Sequence, residues 1–345
     1  MLIEDLVRLD ASIYPIRVDT DSQRIEGLST FEELRPNHLL FLKEKNFLEK
    51  LKLKAQDPNL KKMGLLVCQK FLDKFENDPS WMDISSSISF VLKTSSFEKS
   101  MALLSKIYFD REFSGLNLFK DGREENSCQI DSTSQIAPLT FLGVNVVIEK
   151  NVRIHSGVKI LANSLIKEGS EIFPNTTIYP KVKIGKNCRI HANCTIGSDG
   201  FGYSFFDGSH NKLWHFGGVI ISDNVEIGAN CTIDGGTFSP TWIGEGCKID
   251  NGVQIAHNCK IGNKVILCGQ TGISGSCKIG DYSVLAGKVG VGHNTTLGKN
   301  VQVGGGALVN CDWPDNSIIS GYPARPLKEW LRGLAYLRIK SLRKE

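Results

Sequence analysis

The sequence predicts a parallel β-helix of triangular cross-section, preceded by a small α/β domain and followed by a basic helix. Three observations carry this prediction: a repeat of period six in the middle of the chain, mixed helix and strand patterns before it, and a basic amphipathic segment after it. Of the 345 residues, 34 are glycine and ten are cysteine, whereas a hydrophobic share of 41% and a charged share of 23% are ordinary for a folded protein.

Residues 1–122 have no six-residue period and predict an α/β domain. Helical spacing of apolar residues predicts helices over LIEDLVRL and SFEKSMALLSKIYF, and short apolar runs predict strands over HLLFL, GLLVC and ISFVLK. The first residues lack the apolar core of a secretory signal, and no apolar run approaches the ~20 residues of a membrane helix. We therefore expect a cytoplasmic protein without an integral membrane segment.

Residues 123–311 carry an aliphatic residue at every sixth position. Twelve such positions run from Ile130 to Ile196, three from Ile221 to Ile233 and twelve from Ile243 to Val309. A period of six fits neither a helix nor simple alternation, but it fits a short strand followed by a turn. Three such units close a coil of 18 residues, and parallel coils about 4.8 Å apart would stack into a prism of roughly nine coils.

Two interruptions of the repeat predict loops that leave the prism. One contains GSDGFGYSFFDGSHNKLWHFGG between Ile196 and Ile221, and the other contains GTFSP between Ile233 and Ile243. Loops carried by a rigid scaffold are where functional sites are commonly built.

Most of the cysteines belong to the repeat itself. Seven of the ten lie two residues before a repeat aliphatic, where serine, threonine and valine otherwise stand: Cys128, Cys188, Cys194, Cys231, Cys247, Cys259 and Cys277. Since no C-x-x-C motif occurs, we interpret them as small buried fillers of the core.

Residues 18 apart should lie in one column of the prism, and this places His257, Gly275 and His293 at a single corner. The glycine leaves room for a substrate to approach the backbone, and a histidine beside an open N–H supplies a general base next to an oxyanion donor. An exposed histidine without a function is the alternative interpretation for each of the two.

Other histidines give weaker indications. His155 and His191 flank Phe173 in a second column, which we interpret as a packing or subunit contact. His210 and His215 are five residues apart in the first interruption but lack a third ligand, so no metal site is predicted.

Four segments resemble the UDP-3-O-acylglucosamine N-acyltransferases of lipid A biosynthesis: GSDGFGY at 197–203, TIDGGT at 232–237, KIDNGVQIAHNCKIG at 248–262 and SGYPARPLKEW at 320–330. The resemblance implies a left-handed β-helix and a homotrimer. It also implies transfer of a 3-hydroxyacyl chain to the 2-amine of a UDP-3-acylated glucosamine. The donor would be the phosphopantetheine of acyl carrier protein, with no tightly bound cofactor.

The resemblance also assigns residues. His257 would be the general base, Asp250 the carboxylate that supports it, either in the same subunit or across subunits, and Gly275 the backbone N–H that holds the oxyanion. Phe41 and Phe47 would sandwich the uracil ring.

Further substrate contacts would come from Phe201, Tyr203, Asn251 and His293. This chain departs from the family at Glu44, where asparagine is usual, and at Gly235, where arginine is usual, and His293 lies one residue before the expected place. These departures fall on expected sugar-nucleotide contacts, so the sequence leaves open whether the acceptor is a glucosamine or a 2,3-diamino sugar.

Residues 312–345 predict a basic helical extension. Seven basic and two acidic residues between Arg325 and Glu345 give this stretch a charge of +5, against +4 for the whole chain. We expect it to dock the acidic acyl carrier protein, a solvated amphipathic helix being the alternative. No basic stripe with interleaved aromatics occurs elsewhere, so nucleic-acid binding is not expected.

Three other functions are alternatives for such a sequence. A related acyltransferase would O-acylate UDP-N-acetylglucosamine or use acetyl-CoA for N-acetylation. A γ-type carbonic anhydrase would need a shared zinc, but His257 and His293 lie two coils, roughly 10 Å, apart. A non-catalytic scaffold would keep its function without His257.

Overall fold

A computed structural model of the protein describes residues 1–18, 24–114, 116, 120–321, 324 and 326–342. Its N-terminal domain is a five-stranded sheet of order β1-β5-β4-β3-β2, in which β1 alone is antiparallel to its neighbour. The elements are α1 Ile3–Leu9, β1 Ile13–Val18, β2 Gly27–Leu28, β3 His38–Leu42, α2 Lys45–Lys52, a 3-10 turn Leu60–Lys62, β4 Gly64–Cys68, α3 Gln69–Phe75, α4 Pro79–Ser87, β5 Phe90–Thr94 and α5 Phe97–Phe113.

The predicted helices and strands of this domain are confirmed as α1, α5, β3, β4 and β5. The short helices α2, α3 and α4 were not predicted, although the sequence contains an N-terminal capping signal for α4. Asp78 caps it by accepting a hydrogen bond from Ser80 N, and Pro79 occupies its first turn.

The repeat region forms three parallel sheets that are the faces of one prism, and the predicted fold class, a left-handed parallel β-helix with an N-terminal α/β domain and a C-terminal helix, is confirmed. Face 1 consists of Gln129–Ile130, Val147–Ile148, Leu165–Ile166, Val182–Ile184, Val219–Ile221, Thr241–Ile243, Lys260–Ile261, Lys278–Ile279 and Thr296–Leu297. Face 2 consists of Gln135–Ile136, Arg153–Ile154, Glu171–Ile172, Arg189–Ile190, Glu226–Ile227, Lys248–Ile249, Ile266–Leu267, Val284–Leu285, Gln302–Val303 and Ile318–Ile319. Face 3 consists of Phe141–Leu142, Lys159–Ile160, Thr177–Ile178, Thr195–Asp199, Thr232–Gly235, Gln254–Ile255, Gly272–Ile273, Gly290–Val291 and Leu308–Val309.

The corners of the prism are tight turns through the left-handed region. The residue three places after the repeat aliphatic has positive φ at most corners, and it is often asparagine, as at Asn145 (φ 58°) and Asn163 (φ 59°). Asparagine adopts this conformation more readily than most side chains, which makes it a turn marker in the sequence. The last strand, Ile318–Ile319, pairs with Gln302–Val303. The β-helix therefore continues past residue 311, the predicted end of the repeat region.

The cysteines of the repeat form hydrogen bonds in addition to filling the core. Their thiols are free, and they donate hydrogen bonds to carbonyl groups of the next coil, as Cys259 Sγ does to Ser274 O (3.1 Å). Serine in the same slot does likewise, since Ser170 Oγ donates to Gly185 O (2.7 Å). The slot therefore takes small side chains that carry a donor for a corner carbonyl, as well as valine.

The second column of rings is present and closely stacked. Phe173 lies parallel to His155 (centroids 4.9 Å apart) and to His191 (4.5 Å), the spacing of adjacent strands. Beside it, the buried carboxylate of Glu171 pairs with His155 Nε2 (2.9 Å) and with an arginine on either side. Rings and charges on this part of face 2 thus hold successive coils in register.

The N-terminal domain packs on the two loops that interrupt the repeat. Thr30 Oγ1 lies 2.7 Å from Ser239 Oγ, and Phe41 lies against Phe238 with ring centroids 5.8 Å apart. The first interruption also forms a hairpin, Tyr203–Phe206 with Ser209–Lys212. The loops therefore join the two domains at the corner between faces 3 and 1.

The helix α6, Leu327–Leu342, has no buried residue. It contains four of the basic residues: Lys328, Arg332, Arg338 and Lys340. Arg325, Arg343 and Lys344 lie outside the described residues, as do Tyr322 and Pro323 of the GYPA motif. Among the described helices, none has the length and apolar character needed to cross a membrane.

Candidate active site

His257 lies at the corner where the chain leaves face 3 for face 1. Strand register pairs Ile255 with Ile273 and Ile273 with Val291, so His257, Gly275 and His293 occupy the same corner in three successive coils, as the stacking arithmetic predicts. The imidazole covers Gly275 closely: a Cβ at that glycine would lie 2.6 Å from Cε1 and 2.7 Å from Nε2. Any larger residue there would push the ring away.

The hydrogen bonds around His257 determine which nitrogen carries its proton. Nδ1 lies 2.9 Å from Asn258 Oδ1, and the same oxygen accepts from Thr237 N (3.2 Å) and Thr237 Oγ1 (2.7 Å). A backbone N–H can only donate, so the atom it meets is the amide oxygen and not the amide nitrogen. Nδ1 of the neutral ring is therefore protonated, and Nε2 keeps the lone pair of a base.

A second glycine packs against the other side of His257. At Gly200, in the GSDGFGY segment, a Cβ would lie 2.5 Å from His257 Cβ. The first loop thus folds back onto the corner, and the His257 side chain is enclosed by Gly200, Gly275 and Asn258. Sequence reasoning missed Gly200 and Asn258, although Asn258 is the left-handed turn residue (φ 60°) of the QIAHN motif.

Gly275 offers a backbone donor beside His257. The neighbouring amides are engaged, since Ser274 N donates to Val291 O (3.0 Å) and Ser276 N donates to His257 O (2.9 Å). Within the described part of the chain, the Gly275 N–H has no acceptor. A free N–H next to a lone-pair nitrogen is the arrangement that an acyl transfer requires.

Asp250 lies one corner earlier, between faces 2 and 3. Its carboxylate accepts from Asn251 N (2.7 Å) and Gly269 N (2.9 Å), while Asn251 Oδ1 accepts from Ala229 N (2.7 Å). A separation of seven residues exceeds one repeat of six, so the side chain cannot share the corner of His257 in its own protomer. Within the subunit, the side chain that meets His257 Nδ1 is that of Asn258.

The two rings expected to sandwich a base have different surroundings. Phe41 faces inward from β3, is 8% exposed and meets Phe97 edge-on at 5.9 Å. Phe47, at the start of α2, stacks on Phe31 with centroids 4.8 Å apart. Phe41 is thus a core residue of the domain junction, and Phe31, which the sequence did not single out, is the ring that accompanies Phe47.

The remaining expected contacts are exposed. Phe201, just before the hairpin strand, is 86% exposed. Its ring meets that of Tyr203, the first residue of that strand, edge-on with centroids 5.1 Å apart. His293 is exposed, two coils beyond His257 on the same corner. None of these three side chains is enclosed by its own protomer.

His215 is a buried histidine beside His257. Its ring is 5% exposed and meets the His257 ring edge-on, with centroids 5.2 Å apart. Burial, reinforced by His257, lowers the pKa of His215 to about 4, so the ring is neutral near pH 7. His210 is exposed on the hairpin, and no group of three or more potential metal ligands occurs among the described residues.

An acidic side chain lies near the same corner. Asp234 is on face 3, and burial raises the pKa of its carboxyl, although Gln254, His257 and Ser198 each act in the opposite direction. Thr232 pairs with Gln254 in the strand register and donates a hydrogen bond to its side chain.

Family models match two parts of the prism. The bacterial transferase hexapeptide model (six repeats) matches residues 163–198 and 240–275, and the model of the hexapeptide repeat of succinyl-transferase matches residues 218–257. The prediction of hexapeptide repeats is thereby confirmed.

Curated relatives carry the name that the motifs indicate. The chain is 42% identical to the UDP-3-O-acylglucosamine N-acyltransferase of Methylobacterium nodulans over 143 residues, which is 41% of each chain. It is 54% identical to the enzyme of that name from Leptospira biflexa over 81 residues, 24% of this chain and 23% of the relative. The matched stretch thus spans about two fifths of the first relative's length.

Solved structures of similar proteins include the UDP-N-acetylglucosamine acyltransferase of Francisella novicida. It is 29% identical to this chain, with a TM-score of 0.40, and the match covers 60% of this chain and 72% of that one.

Proposed function

We propose that this protein is a cytoplasmic N-acyltransferase of lipid A biosynthesis. It would move a 3-hydroxyacyl chain from acyl carrier protein to the 2-amine of a UDP-3-acylated glucosamine. The observation that carries the proposal is the corner at His257, where a lone-pair nitrogen lies over a glycine with a free N–H. The sequence relatives support the choice of reaction class.

In the proposed reaction, the neutral amine attacks the carbonyl carbon of the thioester. A C–N bond forms, the carbonyl oxygen becomes an oxyanion, and His257 Nε2 takes the proton that the amine loses. Collapse of the tetrahedral intermediate breaks the C–S bond, and the departing thiolate takes that proton from His257. The base is therefore returned to its starting state, and no tightly bound cofactor is needed.

The surroundings of His257 suit both stages of this reaction. Asn258 Oδ1 accepts from Nδ1–H, which keeps Nε2 free and stabilises the imidazolium that forms. The Gly275 N–H would donate to the oxyanion, and its lack of a side chain lets the substrate reach the backbone.

We propose that Asp250 and Asn251 complete the site of a neighbouring subunit in a homotrimer. Both are exposed on a different corner from His257 of their own chain. A cyclic trimer brings two different surfaces of adjacent subunits together, so one subunit's face 2–3 corner can meet the next subunit's base. Exposed apolar side chains on face 2, including Ile266 (41% exposed) and Ile318 (79%), support an interface there.

The sugar nucleotide would lie between the base and exposed aromatic rings. Phe201 and Tyr203 stand beside Gly200, which touches His257, and they offer ring faces to a sugar or base. Phe47, stacked on Phe31, offers another such surface on the N-terminal domain. The exposed His293 would bind phosphate or sugar oxygens on the same corner.

The acyl carrier protein would dock on α6. This helix exposes its basic side chains together with a row of leucines, including Leu331 (53% exposed) and Leu334 (46%). An acidic carrier with an apolar patch complements such a surface.

A substitution of the base tests the proposal directly. We expect His257→Ala to lower kcat by about 10²–10⁴-fold, because general-base catalysis contributes that much, with little change in thermal stability. His191→Ala, in the other column of rings, is the matched control and should retain activity. Acyl transfer is followed from acyl carrier protein to 2-amino and 2,3-diamino UDP-sugars.

The chemical nature of the product distinguishes the proposed activity from those of related acyltransferases. An amide at position 2 supports N-acylation, and an ester formed on UDP-N-acetylglucosamine, or transfer from acetyl-CoA, would replace the proposal with another acyltransferase activity. Wild-type rates in the His257→Ala variant would refute the role of the base.

A further inference from the structure

Three lysines from both domains converge on one side of the domain junction. Lys54 follows α2 in the N-terminal domain, and Lys260 and Lys278 are paired neighbours on face 1 of the prism. Lys54 Nζ donates a hydrogen bond to the carbonyl oxygen of Glu32 (2.9 Å), and Lys278 Nζ lies 3.6 Å from the carboxylate of that glutamate. Lys260 is close enough to both lysines for their charges to act on it. These three side chains are called the lysine cluster below.

The lysine cluster carries more positive charge than the nearby acids neutralise. Glu32 is the acid within it, whereas Glu33 is already paired with Arg35 at 2.7 Å. Among the described residues, Lys260 forms no ion pair. Burial lowers the pKa of its amine, and the other two lysines act in the same direction, although Glu32 and Glu33 act in the opposite one. A half-buried cation beside like charges is unfavourable unless an anion accompanies it, so the cluster is suited to an anionic ligand.

Aromatic rings lie next to the lysine cluster. Phe31 directly precedes Glu32 in the chain and stacks on Phe47 with centroids 4.8 Å apart. Trp242 is the neighbour of Lys260 on face 1 and is 36% exposed. Rings on which a flat base can stack, beside amines that can hold phosphate oxygens, are the two parts that a nucleotide requires.

We propose that Lys54, Lys260 and Lys278 bind the diphosphate of the nucleotide sugar. This inference rests on the proposed function and names residues that position its acceptor. A diphosphate that links a nucleoside to a sugar carries about two negative charges near pH 7, which matches the excess charge of the lysine cluster. The bound diphosphate bridges one lysine of the N-terminal domain and two of the prism, so it holds the two domains together.

The position of the lysine cluster relative to His257 agrees with this assignment. Lys260 lies three residues after His257, and Lys278 lies three residues after Gly275, on the face that follows their corner. Three residues span at most roughly 10 Å. A sugar joined to the second phosphate of a nucleotide held by these amines can therefore reach the corner, where its 2-amine meets the base.

The test measures binding and therefore does not depend on turnover. Dissociation constants of the full-length protein for UDP and for uridine are determined by titration calorimetry. The wild type should bind UDP at least about 100-fold more tightly than uridine, because each charge-assisted hydrogen bond contributes about tenfold or more. Added salt should weaken the binding of UDP and leave that of uridine nearly unchanged.

Substitution by glutamine removes the charge and keeps a long polar side chain. Lys54→Gln, Lys260→Gln and Lys278→Gln should each weaken UDP binding by about tenfold and change uridine binding by less than about twofold. Lys183→Gln is the matched control, because Lys183 is an exposed lysine in the same column of face 1, three strands from Lys260. It should leave both dissociation constants unchanged.

The stability of one variant separates a binding role from a structural one. Lys260→Gln relieves the repulsion between like charges, so the ligand-free variant should melt no lower than the wild type. Added UDP should raise the Tm of the wild type more than that of the variant, since tighter binding to the native state gives the larger shift. A lower Tm of the ligand-free variant, combined with unchanged UDP binding, would show that Lys260 only supports the fold.

The other outcomes are distinct. Unchanged UDP binding in all three glutamine variants overturns the inference and leaves the proposed acyl transfer standing. A rise in KM for acyl carrier protein without a loss of UDP binding would assign the lysine cluster to the phosphodiester of the donor's phosphopantetheine, which also overturns it. If the wild type transfers no acyl chain to a UDP-sugar, the proposed function fails, and the titrations with UDP and uridine still decide whether the lysine cluster binds a nucleotide diphosphate.

Discussion

At the scale of single residues, the site is defined by contacts that one histidine makes with small neighbours. Gly200 and Gly275 leave space on two sides of His257, and Asn258 holds Nδ1. The orientation comes from backbone turns, since Asn258 is itself the left-handed residue of the corner. The position of His257 and the placement of its proton on Nδ1 thus both follow from the geometry of the turn.

Asn258 gives a prediction about pH. Asn258→Asp replaces a neutral acceptor by a carboxylate, whose charge favours the imidazolium over the neutral ring. Activity that requires the neutral imidazole should then begin to fall at a higher pH on acidification, so the acid limb of kcat/KM should move upward by about one pH unit. Asn258→Ala, which removes the acceptor, should lower kcat without that upward shift. An unchanged acid limb in the aspartate variant would contradict the hydrogen bond described here.

At the scale of elements, the repeat strand is the unit that builds the scaffold. Each strand contributes an inward aliphatic side chain, and the slot two residues earlier supplies either valine or a small donor to a corner carbonyl. Cys259 and Ser170 fill this slot with the same bonding pattern. The high cysteine content therefore follows from the needs of the coil and calls for no redox chemistry.

The helix α6 is the element for which charge gives a prediction. Replacing Lys328, Arg332, Arg338 and Lys340 by glutamine should raise KM for acyl carrier protein by roughly tenfold and leave KM for the sugar nucleotide nearly unchanged. The reason is that long-range attraction to an acidic partner acts on the carrier alone, and added salt should mimic the substitutions by screening it. A set of four lysines on the outer prism surface, Lys159, Lys183, Lys248 and Lys299, is the control. An equal rise in both KM values would count against docking on α6.

At the scale of the whole molecule, the prism separates residues that the motif places close together. Asp250 and His257 are seven residues apart in the chain, yet they stand on different corners. Within one subunit the carboxylate is engaged by Asn251 N and Gly269 N, so its proposed role depends on a second subunit.

Mixed trimers test that arrangement. Asp250→Ala and His257→Ala should each be nearly inactive alone, but mixing and reassembling them should restore about a quarter of wild-type activity. In a ring of three, that is the share of interfaces that combine an intact His257 with an intact Asp250. Reassembled trimers of each variant alone are the controls, and absence of any recovery would place both residues in the same subunit's site.

Much of the fold follows from the sequence because the repeat is local. Each six-residue unit repeats the same pairing with its neighbour 18 residues on, except across the interruptions, so counting places Gly275 under His257 without knowledge of the rest of the chain. The same counting correctly stacks Phe173 between His155 and His191. The tail's charge is also a property of composition, although three of its seven basic residues lie outside the described part.

By itself, the sequence determined the β-helix, the column of His257 and the position of the two loops, because these depend on spacing along the chain. Only the tertiary structure decided that Asn258 Oδ1 accepts from His257 Nδ1, that Phe41 is enclosed at the domain junction, and that the buried ring of His215 meets the His257 ring edge-on. Those features arise where the irregular loops and the N-terminal domain fold onto the prism. Contacts between segments far apart in the chain have no period, so no count along the sequence could reveal them.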